Sequence, residues 1–177
     1  MKLLIASDIH GSSFYCKKLV EKYNEEKPDK MLLLGDILYH GPRNDLPKDY
    51  APKDVIAMLN PLSKSILCVR GNCDTEVDQM VLDFGVLADY STVFDGDITM
   101  YLTHGHHIDD IKCVPSSIVI AGHTHVPAFE KRDGYTYINP GSVSIPKQNS
   151  HNGYMIYENR TFVWKDFDGN IICSRTI

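Results

Sequence analysis

Residues 2–10 read Lys2-Leu3-Leu4-Ile5-Ala6-Ser7-Asp8-Ile9-His10. A short continuous apolar run of this kind suits a strand buried on both faces, as in a parallel sheet. It breaks off into an Asp and a His. The same pattern recurs down the chain. Met31–Leu34 runs into Gly35-Asp36, and Ile66–Arg70 into Gly71-Asn72-Cys73-Asp74. Ile98–Thr103 runs into His104-Gly105-His106, and Ile118–Ala121 into Gly122-His123-Thr124-His125. Helical patterns separate the early runs. Ser12 or Ser13 can cap a helix carrying Cys16, Leu19, Val20 and Tyr23, with Pro28 closing it. Pro52 opens a second with Val55, Ile56 and Leu59 on one side, and Thr75 can cap a short third through Met80 and Leu82. Strand–helix alternation at this spacing predicts parallel strands joined by right-handed crossovers.

The second half changes character. Asp95-Gly96, Asp133-Gly134 and Asp168-Gly169 sit between apolar or alternating runs and read as hairpin turns. They join Thr92–Phe94 to Ile98–Thr103, Ala128–Arg132 to Tyr135–Asn139, and Thr161–Phe167 to Ile171–Ser174, with Tyr154–Glu158 as a further strand. A parallel half followed by a hairpin-rich half predicts an α/β fold with mixed sheets, or two sheets packed face to face with helices outside. The segment Tyr39–Tyr50, with Gly41, Pro42 and Pro47, is the longest irregular stretch and is expected to be a functional loop.

Length and composition bound the rest. At 177 residues the chain is expected to be a single domain, 1–177. Hydrophobic content of 43% and charged content of 23% exclude disorder. Lys+Arg 18 against Asp+Glu 23 gives a net charge of −5, which disfavours extended nucleic acids and anionic membrane surfaces as partners. The five cysteines (16, 68, 73, 113 and 173) form no CxxC pair, and their odd number argues against a disulfide framework. Asp8 interrupts the opening apolar run before it reaches signal-peptide length, so a cytoplasmic protein is expected.

Five apolar runs each end in a cluster of Asp, Asn or His. Strand carboxyl ends form the binding crevice of an open α/β sheet, so the clusters should converge there. Two Asp, one Asn and four His are too many ligands for one cation. They fit two divalent metals about 3.5–4 Å apart that share a carboxylate. Imidazoles suit first-row transition metals, and carboxylate and amide oxygens suit harder ions such as Mn²⁺.

Taken together, Asp8-x-His10, Gly35-Asp36, Gly71-Asn72-Cys73-Asp74, His104-Gly105-His106 and Gly122-His123-x-His125 resemble the motif series of the calcineurin-like metallophosphoesterases. The resemblance runs to the Asn139-Pro140-Gly141-Ser142 turn. Tyr39-His40-Gly41-Pro42-Arg43-Asn44 is similar to a segment of the family's small bacterial phosphodiesterases. What it implies is a four-layer α/β/β/α sandwich of two mixed sheets flanked by helices. It also implies two divalent ions per chain, expected to be Mn²⁺, with Zn²⁺, Ni²⁺, Co²⁺ or Fe²⁺ as alternatives. Asp8, His10 and His125 would hold one, Asn72, His104 and His123 the other, and Asp36 would bridge them. The implied reaction is hydrolysis of a small phosphodiester by in-line attack of a hydroxide shared between the metals. In the family pattern the third position of the Gly-Asn motif is often a His that protonates the leaving group. Here it is Cys73, a weaker donor. His40 and Arg43 would reach the substrate phosphate from the long loop, with His106 and His107 substrate-facing or behind the ligands. Other readings stay open: a phosphomonoesterase, a cyclic-nucleotide phosphodiesterase, or a weakly active protein-binding scaffold. The filled ligand positions oppose the scaffold. Exposed strands at a sheet edge would permit a homo-oligomer.

Overall fold

The opening run forms strand β1 (Lys2–Ala6), and its side chains divide between two cores in the computed structural model, which describes residues 1–177. Leu4 and Ala6 point to a core shared with Cys16 and Leu19 of α1 (Ser13–Glu26) and with Val55 and Leu59 of α2 (Pro52–Leu59). Leu3 and Ile5 point the other way, into a second core closed by Met100, Leu102, Ile118 and Ile138. Apolar residues at consecutive positions are therefore all used, one face against helices and the other against a second sheet. Each fully buried aliphatic side chain of this size contributes about 1.5–3 kcal/mol.

The first sheet has six strands in the order β11-β10-β9-β1-β2-β3. These are β2 (Lys30–Leu33), β3 (Ile66–Cys68), β9 (Gly153–Glu158), β10 (Thr161–Asp166) and β11 (Ile171–Thr176) around β1. β1, β2 and β3 are parallel, whereas β9 joins β1 antiparallel and begins a meander. The second sheet has the order β4-β5-β6-β8-β7. Its strands are β4 (Tyr90–Asp95), β5 (Ile98–Thr103), β6 (Ser117–Ala121), β7 (Ala128–Arg132) and β8 (Tyr135–Asn139), with β5, β6 and β8 parallel. Two mixed sheets flanked by helices are what the sequence led us to expect. On the outer face of the second sheet the helical element is a single 3-10 turn, Ile108–Asp110. Pro115, just ahead of β6, leaves the β5–β6 crossover little scope for a longer helix.

The chain's local signals set most boundaries. Ser12 Oγ accepts the Tyr15 N–H at 3.3 Å to start α1. Lys27, in the left-handed region at φ 50°, ends it before Pro28. Two expectations ran long. The third strand keeps only Ile66–Cys68, because Arg70 N–H leaves the β2 ladder for Ala88 O at 2.8 Å. The third helix, α3 (Glu76–Gln79), stops short of Leu82 because Val77 and Met80 are exposed and give it little buried apolar face. No helix is long and apolar enough to cross a membrane.

The carboxyl ends of β1, β2 and β3 in one sheet, and of β5 and β6 in the other, face the same region. Backbone bonds tie the loops there: His10 N–H to Asp36 O at 2.9 Å, Val143 N–H to Ser7 O at 2.9 Å, and Gly122 N–H to His104 O at 2.9 Å.

Candidate metal centre

Left-handed backbone concentrates where the five clusters meet. Asp8, His10, Asp36, His123 and His125 have φ of 60°, 50°, 57°, 66° and 61°. For residues with a β-carbon this conformation costs about 1–2 kcal/mol each, and it persists only where the surroundings over-determine it. They do so here. The Asp8 carbonyl accepts from Ser142 Oγ at 3.0 Å and Ser144 Oγ at 3.1 Å. The His125 carbonyl accepts from Lys147 N–H at 3.2 Å and Ser150 Oγ at 3.3 Å. Asp74, buried, accepts from the backbone N–H groups of Asp36 (2.8 Å), Ile37 (2.9 Å) and Gly71 (2.7 Å). Gly35 (φ 92°) and Gly71 pack against each other, and a β-carbon on Gly71 would overlap the Asp36 side chain.

The imidazoles are oriented from behind. His10 Nδ1 donates to Tyr39 O at 2.8 Å, His104 Nδ1 to Leu34 O at 2.7 Å, and His125 Nδ1 to Ile145 O at 2.6 Å. With the proton on Nδ1, each Nε2 lone pair points inward. His10 Nε2 and His125 Nε2 lie 3.4 Å apart, and Asp8 Oδ1 is 3.5 Å from the first and 3.3 Å from the second. Asp36 Oδ2 closes this group at 3.6 Å from His10 Nε2. The same Asp36 oxygen lies 3.4 Å from His104 Nε2 and so belongs to a second group. There, His104 Nε2 is 3.1 Å from Asn72 Oδ1 and 3.2 Å from His123 Nδ1. His123 differs from the other three in turning Nδ1 inward.

All seven side chains expected from the sequence thus meet in two groups that share one carboxylate oxygen. The test of fit to cations is the chemistry of these atoms. They are acceptors facing acceptors, and Asp8 Oδ1 is buried with no hydrogen-bond partner. Ligands about 2.0–2.2 Å from a common ion stand roughly 3–3.5 Å apart, close to the spacings seen. The electrostatics agree. Burial alone would raise the Asp8 carboxyl, but the neighbouring imidazoles of His10, His125 and His104 hold it well below its usual range. Burial alone would lower His104, yet Asp36 and Asp8 push it up to about 9. The buried carboxylates draw positive charge toward them. The donors present fit two divalent ions.

A cleft of about 280 Å³ opens onto this centre, lined by Asp36, Asn72, His123 and His125 and, around them, by the Gly41–Asn44 segment, Cys73 and Lys147. Cys73 sits against Asn72, whose Nδ2 is 3.2 Å from Sγ, and its own N–H donates to Asp36 Oδ1 at 2.8 Å. Burial, followed by the Asp36 charge, pushes its thiol up to about 12. Arg43 lines the cleft as expected, but His40 does not. Its ring packs edge-on against Tyr39 at 4.8 Å and Tyr50 at 5.2 Å. His106 lies behind the second group, 5.4 Å from the His104 ring and 6.1 Å from His123, and His107 is exposed beside Asp110. Sequence reading missed Lys147, which has no motif around it, and the clamp role of Asp74. It also missed Asn139, whose amide donates to Gly122 O at 2.7 Å and so holds the turn before His123. The Asn139–Ser142 motif was the available signal.

Comparison with known proteins agrees with this geometry. Residues 1–161 match the calcineurin-like phosphoesterase superfamily domain. The chain is 41% identical over 162 residues to phosphodiesterase YfcE of Escherichia coli K12, covering 90% of this chain and 88% of that protein. It is 28% identical over 151 residues to phosphodiesterase MJ0936 of Methanocaldococcus jannaschii, covering 80% and 83%. Its structure superposes on that of the E. coli phosphoesterase Yfce with a TM-score of 0.95 at 39% identity over the full length of both chains. The strand-end ligand series, the two donor groups sharing Asp36 and these likenesses converge on one conclusion: the chain belongs to the calcineurin-like phosphoesterase superfamily.

Proposed function

We propose that this chain, acting as one domain, is a metal-dependent phosphodiesterase for small phosphodiesters. Asp8, His10 and His125 hold one divalent ion, Asn72, His104 and His123 hold the other, and Asp36 bridges them. The observation that carries this reading is Asp36 Oδ2, which faces both donor groups while Asp8 Oδ1 waits unpartnered beside them. The identity to a named phosphodiesterase supports the diester as substrate. Two divalent ions supply Lewis acidity and a nucleophile at neutral pH. The carboxylate and amide oxygens favour Mn²⁺ for that role. The five cysteines are all free thiols, which suits the reducing cytoplasm.

The chain's own residues do the rest. The backbone carbonyls of Tyr39, Leu34 and Ile145 fix three imidazole tautomers, so no reorganisation is needed when charge develops. Arg43, Asn44 and Lys147 line the opening and give it polar and cationic walls. Cys73 faces the cleft as a protonated thiol, a weak donor to a leaving oxygen. Titrating Mn²⁺ into chelator-treated protein tests the reading through hydrolysis of a chromogenic aryl phosphodiester. Saturable activation is expected, and a rate no higher than the metal-only blank would favour a scaffold.

The weak donor at position 73 has a consequence for substrate choice. Activated aryl diesters should turn over well and alkyl diesters slowly. Cys73→His should raise kcat for an alkyl leaving group by about 10-fold or more, since a placed general acid contributes roughly 10²–10⁴-fold. An unchanged alkyl rate in that variant would show that protonation from this position does not limit turnover.

A further inference from the structure

Resting on the phosphodiesterase reading, we infer that the substrate carries a second phosphate on one of its alcohols, bound by Arg43 and Lys147 at the rim of the cleft. The lining is the first argument. No Phe, Tyr, Trp, Val, Leu or Ile side chain lines the cleft, and its two rings, His123 and His125, belong to the donor groups, so the cleft has no apolar wall to hold an acyl chain or a large ring. Its volume, about 280 Å³, suits a compact polar group. Recognition in such a site falls to charge.

Charge balance is the second argument. Asp8 and Asp36 offset half of the charge that two divalent ions bring. A singly charged diester and the attacking hydroxide offset the rest. Arg43 and Lys147 then remain as two further positive charges on the same opening. Neither takes part in any ion pair of the chain, although the protein is acidic overall at −5. They arrive from different loops, one following β2 and one preceding β9, so the rim is cationic on two sides. A terminal phosphate carries about −1.5 to −2 at neutral pH, which matches two cations. The geometry of the two loops therefore selects for a phosphorylated arm on the diester, in addition to the bond that is cleaved.

The test uses two 4-nitrophenyl alkyl phosphates that differ only at the far end of a three-carbon arm, one bearing a hydroxyl and the other a phosphate. With the Mn²⁺-loaded wild-type protein at low ionic strength, KM should be about 10-fold lower for the phosphorylated compound, with similar kcat. Arg43→Gln and Lys147→Gln should each shrink that ratio by about 3-fold, and the double variant should bring it close to unity. Calorimetric binding of the matching non-hydrolysable phosphonates should give the same ratios. Equal KM for the two compounds in wild type, or a ratio unchanged in the double variant, overturns the inference and leaves the phosphodiesterase reading standing. Hydrolysis of neither compound removes both.

Discussion

Asp36→Asn is expected to lower kcat/KM on an aryl phosphodiester by about 10³-fold or more, equivalent to roughly 4 kcal/mol of transition-state stabilisation. Asp36 faces both donor groups through a single oxygen, 3.6 Å from His10 Nε2 and 3.4 Å from His104 Nε2. The amide is isosteric, so the fold should survive. Its carbonyl oxygen can keep the bond from Cys73 N–H, now 2.8 Å at Oδ1. Its NH₂ would then stand at the Oδ2 position and donate to His104 Nε2, the lone pair that faces the cation. The substitution thus removes a negative charge and a shared ligand, and it offers the histidine a proton donor in place of a metal. Circular dichroism should be unchanged while activity falls, and excess Mn²⁺ should restore little of it. Full metal-dependent activity in this variant would mean that Asp36 does not bridge.

Removing the clamp behind Asp36 should act on stability instead. Asp74→Ala takes away the acceptor for three buried backbone N–H groups, those of Asp36, Ile37 and Gly71. Hydrogen bonds to a charged group contribute about 1.5–3 kcal/mol each, and orphaned donors add a desolvation cost. Partial relaxation of the two loops brings the expected loss to about 3–5 kcal/mol, or roughly 6–20 °C in Tm for a chain of this size. Asp74→Asn separates the contributions. Oδ2 serves both Asp36 N–H and Gly71 N–H, whereas Oδ1 serves Ile37 N–H alone. An asparagine with its carbonyl at the Oδ2 position keeps two bonds and turns its NH₂ toward a third N–H. Its cost should be near half that of alanine. Equal losses in the two variants would indicate that the carboxylate acts through its charge and not through these bonds.

The residues that were legible in the sequence are those whose chemistry is local. Strands β1, β2 and β6 announced themselves by apolar runs because both of their faces are buried, as with Leu3 and Leu4 on opposite sides of β1. Each ligand pair followed directly on such a run. The hairpin turn at Asp133-Gly134 was readable because two-residue turns demand particular backbone angles, and the one expected at Asp95-Gly96 forms one residue later, at Gly96-Asp97, with Asp95 paired to Ile98. What stayed hidden depends on which loops meet. Asp74 reads locally as a helix cap, but its three donors come from Gly71 and from the distant Asp36-Ile37 turn. His40 is close to Asp36 in sequence, yet the chain turns at Gly41 (φ 78°) and delivers Arg43 to the cleft while His40 packs on Tyr50. Lys147 reaches the cleft only because its N–H closes on the His125 carbonyl. The use of Nδ1 by His123, where its neighbours use Nε2, is likewise a property of the assembled turn.

The central claim is that two divalent ions share Asp36, and metal stoichiometry tests it most directly. Equilibrium dialysis of chelator-treated protein against Mn²⁺, with elemental analysis, should give two ions per wild-type chain and no more than one tightly held ion in Asp36→Asn. A wild-type chain that saturates at one ion, or a variant that still binds two with unchanged affinity, would contradict it.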